Sequence, residues 1–423
     1  MKIAIAGYGV EGESNYSYWN TPGNDVTIVD ANETPSRVLP SSAKTILGQD
    51  AFSKLDGFDM VVRTAGLSPR SIQTDGKIWS ATNEFFAKCP ALIIGVTGSK
   101  GKGTTCSLIA SMLRSGGKTV HLVGNIGLPA LDVLDQIQPD DIVVYELSSF
   151  QLWDIEYSPH VAVVLHIEPD HLDVHDNFSD YVIAKSSIAR FQTIEDTIVF
   201  NTTNIESQTI ADLSIAHHVP YQSDEAVHIA NGWFYDNEHK LCSVDELNIP
   251  GLHNQDNACA AIAAVREWVT DGGVIAKGLR AFEGLPHRLK FVKTVDGVRF
   301  FDDSIATTPG SAIAALKSFR EPKIIILGGS SKGADFTELA TVAQEEHVKF
   351  AVVVGEEAPR LETLLSEQDI AVVNGGSDIS MHEIVELVSN RAKPGDVVIL
   401  SRRVPALVCS KIIATGVTSS LPL

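Results

Sequence analysis

Two glycine-rich turns carry most of the chemistry in this chain. Residues 92–105 read LIIGVTGSKGKGTT. An apolar run leads into Gly98, Ser99, Lys100, Gly101, Lys102, Gly103 and Thr104, with Thr105 next and a helix expected beyond. Backbone amides in such a loop cradle phosphate oxygens, Lys102 reaches terminal phosphates, and a threonine hydroxyl joins the shell of a Mg²⁺ ion. The strict G-x-x-x-x-G-K-[ST] spacing is not kept, because Val96 stands six before Lys102 and Gly103 follows it. The hydroxyl role therefore moves to Thr104 or Thr105. The second turn, Gly7-Tyr8-Gly9-Val10-Glu11-Gly12, follows the first apolar run, and the strand VTIVD ends soon after in Asp30. Small residues there let amides approach a diphosphate at a helix N-terminus, and the Asp30 carboxylate is placed to accept hydrogen bonds from a ribose or base.

Acids follow at the ends of two more apolar runs. DIVVYE ends in Glu146, ahead of Leu147-Ser148-Ser149-Phe150-Gln151, and VAVVLHI leads to Glu168-Pro169-Asp170-His171-Leu172-Asp173. A carboxylate at the carboxyl end of a buried parallel strand beside a phosphate loop suits a metal ligand. His171, set among acids, is a ligand candidate too, and Lys185 comes fourteen residues later.

Positioning these groups needs strands that end at one edge. Short apolar runs recur at 2–6, 26–29, 60–62, 92–96, 119–123, 142–145, 161–167, 197–200, 323–327, 350–354 and 396–400, with helical segments between them. Many are β-branched, and strands alternating with helices predict stacked parallel-sheet α/β domains. Cys89-Pro90 and Gly284-Leu285-Pro286 punctuate the chain, the second after Ala-rich helices near 257–269 and 274–282. Three domains are expected: 1–89, 90–284 and 285–423.

Composition narrows the function. With 33 basic and 53 acidic side chains the net charge is −20, which argues against broad binding to nucleic acid or an anionic membrane. Five scattered cysteines (Cys89, Cys106, Cys242, Cys259, Cys409) form no C-x-x-C pair, so neither a disulfide framework nor a zinc site is indicated. The N-terminal apolar run is too short for a signal peptide and no run approaches the length of a membrane span. A cytoplasmic protein is expected.

The motifs TGSKGKGTT, GNIG (124–127), YELSSFQL (145–152), EPDHLD (168–173), Ala184-Lys185, GLHNQDN (251–257), GLPHR (284–288) and DDSIATTP (302–309) occur in one order along the chain. Together they resemble the Mur ligases, in particular the branch that adds D-glutamate to UDP-N-acetylmuramoyl-L-alanine. The resemblance implies a Rossmann-like N-terminal domain for the UDP-sugar, a P-loop ATPase-like centre for ATP, and a Rossmann-like C-terminal domain for the amino acid. It assigns Gly9, Val10 and Glu11 to the diphosphate, Asp30 to the uracil, and Thr64 and Asn125 to the sugar-peptide. It assigns residues 98–104, Asn254, Asn257, Arg288 and Asp303 to ATP, and Thr307, Lys332 and Ser401 to the amino acid. Thr104, Glu146, His171 and a carbamylated Lys185 would hold two Mg²⁺ ions, with Lys102, His171 and Lys185 as the catalytic group. The ligase would be a monomer, forming an acyl-phosphate from ATP and needing no covalent enzyme nucleophile.

Three positions depart from the family pattern. Glu11 replaces a common threonine, and a carboxylate facing a diphosphate is unfavourable unless it turns outward. Ile305 replaces a lysine expected near the amino acid. Residues 402–423 match no family landmark, whereas with suitable codons for these residues restoring one cytosine in the Arg402 codon yields an ending with P-A-C, F-K-N-Y and R-G in the family order. A one-base deletion, in the gene or its sequencing, is the expectation, with a divergent C-terminus as its alternative. The nucleotide sequence distinguishes them.

Other readings are a folylpolyglutamate synthase-like ligase, in which Lys102-Gly103-Thr104 would be usual, a nicotinamide dehydrogenase suggested by Gly7–Gly12 alone, and a nucleotide-binding protein whose catalysis the tail impairs. The dehydrogenase reading leaves the second loop, Glu146 and His171 without a task.

Overall fold

The computed structural model describes residues 1–125, 128–306, 308–329, 334–377 and 379–402. Thr307, Lys332 and Cys409, and with them the tail beyond Arg402, lie outside the described residues. The chain divides into two compact units, one of residues 1–246 with 256–279, the other of 247–255 with the chain from 280 onward.

The first unit holds two sheets. In the first sheet β1 (Lys2–Ala6), β2 (Asp25–Asp30), β3 (Lys44–Leu47), β4 (Met60–Arg63) and β5 (Lys77–Ser80) run parallel in the order 3-2-1-4-5, with α1 (Val10–Trp19) and α2 (Ala81–Lys88) as its helices. The chain leaves β1 toward β2 and returns on the other side as β4. Such a switch point opens a crevice at the carboxyl ends of the two strands. That crevice lies at the first glycine turn.

The second sheet takes β6 (Leu92–Thr97), β7 (Val120–Gly124), β8 (Ile142–Glu146), β9 (Val161–Val164), β10 (Thr197–Asn201) and β11 (His217–Tyr221), all parallel. A meander of β12 (Val227–Ala230), β13 (Trp233–Asp236) and β14 (His239–Ser243) extends it, giving the order 14-13-12-11-10-9-6-8-7. Its helices are α3 (Lys102–Ser115), α4 (Ser149–Leu152), α5 (Phe178–Ser186), α6 (Ile205–Ala211), α7 (Leu252–Val265) and α8 (Gly272–Ala281). Strands buried on both faces read as continuous apolar runs, which is why LIIGV and IVVY are legible. β11 is not: HHVPY carries two histidines and a proline, yet it pairs with β10 along its length. The two sheets share one apolar core, in which Ile3, Ile5, Tyr8 and Phe85 join Val143, Tyr145, Leu147 and Ile155.

The second unit is a six-stranded sheet of β15 (Lys290–Val295), β16 (Val298–Asp302), β17 (Lys323–Gly329), β18 (Val348–Gly355), β19 (Ala371–Gly376) and β20 (Val397–Arg402), in the order 15-16-20-17-18-19. Only β15 runs antiparallel to its neighbour. α9 (Pro309–Leu316), α10 (Thr337–Glu345) and α11 (Ala358–Ser366) belong with the core on one face, and α12 (Met381–Ser389) packs on the other. All three sheets are parallel-dominated α/β, as the alternation of runs predicts. Among the described residues no helix is long and apolar enough to cross a membrane.

Candidate functional site

At the first switch point the turn is braced from three sides. Tyr8 N donates to Asp30 Oδ2 at 2.7 Å and Gly7 N to the Val29 carbonyl at 2.8 Å, so the β2 end holds the loop that leaves β1. Asp30 Oδ1 also accepts from Asn32 N at 2.8 Å. Its carboxylate is therefore engaged by the turn itself. At Gly12 a Cβ would lie 2.1 Å from the Gly7 carbonyl oxygen, which explains the third glycine as a close approach of helix and turn. From β4, Thr64 N donates to the Ala6 carbonyl at 2.9 Å, placing Thr64 across the crevice from the turn. Glu11, in the first turn of α1, neither points at the crevice as an unmet charge nor turns out to solvent. It is half-buried, and its Oε2 accepts from Ala65 N at 2.8 Å. Burial raises its pKa, against the opposing pull of that hydrogen bond and of Arg63.

The second loop is built differently. Gly101, at φ +85°, ends the turn as the residue before α3, and a Cβ there would sit 2.2 Å from Asn257 Oδ1. That contact brings the α7 asparagine of the first unit to the phosphate loop. Ser99 Oγ lies 2.8 Å from the Glu168 carbonyl, to which it donates, and 2.9 Å from Tyr181 Oη. Lys100 pairs with Glu168 at 2.5 Å on the surface. Thr104 is buried at the helix start, and Thr105 Oγ1 is buried without a hydrogen-bond partner. Lys102 Nζ donates to the Gly98 and Ser99 carbonyls, both at 2.9 Å. Lys185, on α5 and fully buried, also donates to the Gly98 carbonyl at 2.9 Å. Two amines thus converge on one oxygen. Burial, and then the neighbouring Lys102, hold the Lys185 amine well below the usual lysine range, while Asp170 and Glu146 pull the other way.

Glu146 ends β8 beside this loop, buried, with Oε1 accepting from Asn125 Nδ2 at 2.9 Å. His171 is half-exposed, at φ +52°, with its ring 4.9 Å from that of Phe150. A second histidine four residues on is more deeply built in. His175 is buried, with Nε2 3.0 Å from Ser149 Oγ and Nδ1 3.2 Å from Asp180 Oδ2, and it stacks on Phe150 at 5.7 Å. Burial lowers its pKa despite Asp180. Asp180 also takes two hydrogen bonds from Arg70, at 2.5 and 3.2 Å, which hold its carboxyl below the usual carboxylate range. At the other end of the same loop, Arg63 is completely buried. It donates to both oxygens of Asp154 (2.8 and 2.5 Å), to the Phe150 carbonyl (2.8 Å) and to carbonyls of its own loop, including Leu67 at 3.2 Å. The segment from Thr64 to Pro69 is thereby fastened at both ends to the segments that carry Ser149 and Lys185. The sequence shows Arg63, Arg70, Asp154, Asp180 and His175 only as ordinary polar residues; the His171–His175 spacing is the one signal present.

In the second unit, Asp303 follows β16 and Ser401 lies in β20. Asp303 accepts from Leu289 N at 3.0 Å and from the Ser401 hydroxyl, and burial pushes its pKa up to about 7. Its neighbour Asp302 is engaged by His287 Nδ1 at 2.8 Å. Arg288 is exposed and acts on Asp303 electrostatically, Asn254 Nδ2 donates to the Pro250 carbonyl at 2.6 Å, and Ile305 is 52% exposed. An exposed isoleucine supplies no charge there.

Residues 96–265 match the family model described as Mur ligase middle domain, and residues 287–401 match Mur ligase, glutamate ligase domain. A UDP-N-acetylmuramoylalanine–D-glutamate ligase of Acetivibrio thermocellus is 37% identical, over 95% of this chain and 91% of its own. The chain belongs to the Mur ligases. A Streptococcus thermophilus protein of the same name is 33% identical to this Mur ligase, over 95% of the chain and 92% of its own. Among solved structures, UDP-N-acetylmuramate-alanine ligase of Thermotoga maritima superposes with a TM-score of 0.63 at 18% identity, covering 100% of both chains, a likeness of fold.

The loop of this Mur ligase fits a nucleotide triphosphate: an αL glycine, a lysine over its own carbonyls and a buried threonine at the helix start. The donor set also fits Mg²⁺ carried by a nucleotide, for which one or two protein oxygens suffice. Thr104 and Glu146 would supply those oxygens. Among the described residues no cluster of three His, Cys, Asp or Glu forms a metal cage, since the set expected from the family includes a hydroxyl and a lysine. A Lys185 carbamate also fits: a depressed pKa leaves the amine free to react with CO₂, and the product would face Lys102 as an anion.

Proposed function

We propose that this chain joins D-glutamate to the L-alanine carboxyl of UDP-N-acetylmuramoyl-L-alanine, consuming ATP, in making a peptidoglycan precursor in the cytoplasm. The seat of Lys102 over the Gly98 and Ser99 carbonyls, with buried Lys185 and Glu146 beside it, is the observation that carries the mechanism. Ligation must bring a γ-phosphate up to a carboxylate, two anions, and fixed cations offset that repulsion best in a water-poor site. Lys102 holds the γ-phosphate over the loop of residues 98–104. The alanine carboxylate attacks the γ-phosphorus and ADP leaves; the amine of D-glutamate then attacks the acyl-phosphate, giving the amide and phosphate.

Mg²⁺, when bound through Thr104, Glu146, His171 and a carbamylated Lys185, supplies charge neutralisation at the phosphates. Carbamylation would turn the Lys185 amine, which burial already disfavours as a cation, into an anion that Lys102 attracts. Gly9, Val10, Asp30, Thr64 and Asn125 serve the UDP-sugar, and Glu11 lines the same crevice; Asp30 acts by bracing the turn as well as through its remaining acceptor capacity. Family likeness alone assigns Asn254, Asn257, Arg288 and Asp303 to ATP, and Thr307, Lys332 and Ser401 to D-glutamate. The active form is a monomer.

The test is ADP release. It should require both UDP-N-acetylmuramoyl-L-alanine and D-glutamate. Release that depends instead on a folate and L-glutamate, or on a different amino acid in place of D-glutamate, would overturn the substrate assignment.

A further inference from the structure

The first crevice contains a contact that the proposed reaction does not need. Four observations define it. The opening turn of α1 has no side-chain cap, since Gly9 provides none, so its first N–H groups are free of a side-chain acceptor. Ala65, the second residue beyond β4 on the far wall, points its N–H into the same crevice, and that N–H is taken by Glu11 Oε2 at 2.8 Å. The carboxylate is half-buried and its pKa is raised by that burial, so the contact holds a poorly hydrated charge. Arg63, whose charge acts on Glu11, directs its guanidinium donors to Asp154, Phe150 and its own loop.

An anionic oxygen is therefore already seated on an amide at the place where a switch-point crevice receives a phosphate. We propose that Glu11 is an internal competitor of the substrate diphosphate, occupying the Ala65 N–H when the crevice is empty and leaving it when the UDP-sugar binds. This rests on the UDP-sugar reading above. A threonine at this position would offer a neutral hydroxyl and no competing charge. Glu11 thus sets affinity: the diphosphate must displace a carboxylate, and two like charges close together in a partly desolvated crevice oppose each other strongly. The displaced side chain has a way out to solvent, because Glu11 is itself only partly buried.

The inference predicts a gain from removing a residue of the binding site, which loss of a mere brace would not give. Uridine diphosphate titrated calorimetrically into the full chain probes the crevice without turnover. Glu11→Gln and Glu11→Thr should each bind it about tenfold more tightly than the parent, and KM for the UDP-sugar should fall in the same direction. Equal or weaker binding by both variants, with the parent binding UDP and releasing ADP in the presence of its substrates, overturns the role of Glu11 and leaves the ligase reading standing. Absence of UDP binding in all three forms, together with no substrate-dependent ADP release, overturns both.

Discussion

The two glycine turns of the first unit handle charge in opposite ways. The turn after β1 meets its ligand with carboxylates already in place: Asp30 holds the Tyr8 amide and Glu11 holds the Ala65 amide. In the turn after β6, Lys102 and Lys185 crowd onto one carbonyl. A UDP-sugar diphosphate needs only to be held, and backbone amides with modest affinity suffice for that. At the second turn charge must be gathered, because bond formation pushes anions together. The difference shows that a glycine fingerprint reports only that a backbone approaches a phosphate. The charged side chains around it report whether chemistry follows.

Several changes test that contrast. The largest effect should come from the second turn: Lys102→Ala or Lys185→Ala should each lower kcat for ADP release by about 10²–10³-fold, the first by removing a cation and the second by removing the amine that carries the carbamate. A loss of less than about tenfold from both would remove the basis for distinguishing the turns. Next, Arg63→Ala strips a buried guanidinium from Asp154 and should cost about 3 kcal/mol in urea unfolding, as loss of one partner of a buried pair does. Equal stability would mean that the acidic crevice does not depend on its clamp.

Asp303 provides a smaller effect and a control from the second unit. Its folded pKa of about 7 lies above the ordinary carboxylate value, so the folded state binds the proton more tightly. Stability is then greatest below the unfolded pKa and declines as pH rises toward about 7. Asp303→Asn should flatten that part of the melting-temperature profile, and an unchanged profile would show that burial does not govern this carboxyl. The smallest effect is salt. Raising ionic strength should weaken ADP binding at the second turn and slightly tighten UDP binding at the first, each by about twofold to threefold. Shifts of the same sign would erase the contrast.

Much of this arrangement was legible in the sequence, because buried parallel strands spell themselves out as apolar runs and glycine turns follow at their carboxyl ends. Glu146 and His171 were singled out that way, whereas Lys185 took its role from the family resemblance. Arg63 and Asp154 were not, since they meet across 91 residues of chain and neither position has a local pattern. His175 was passed over for His171, although His175 is the buried one with defined partners. β3, β5 and the β12–β14 meander were missed for a related reason: short strands at or toward a sheet edge are partly exposed and mix polar with apolar residues. The direction of Glu11 also needed coordinates. Its identity raised the question of charge at the diphosphate, but the donor it found is an amide N–H 54 residues away.

The buried Arg63 carries a consequence for protein engineering. A chimera that exchanges the first sheet between homologues at the 89/90 boundary would keep this guanidinium and could leave it facing a foreign segment in place of Phe150 and Asp154. Transplantation should therefore move residues 60–70 and 148–155 as one cassette. For the same reason, a fragment ending near residue 89 would expose a charge built for enclosure, together with its own share of the common apolar core. Expressed alone it should be a poor folder, however self-contained its five strands look.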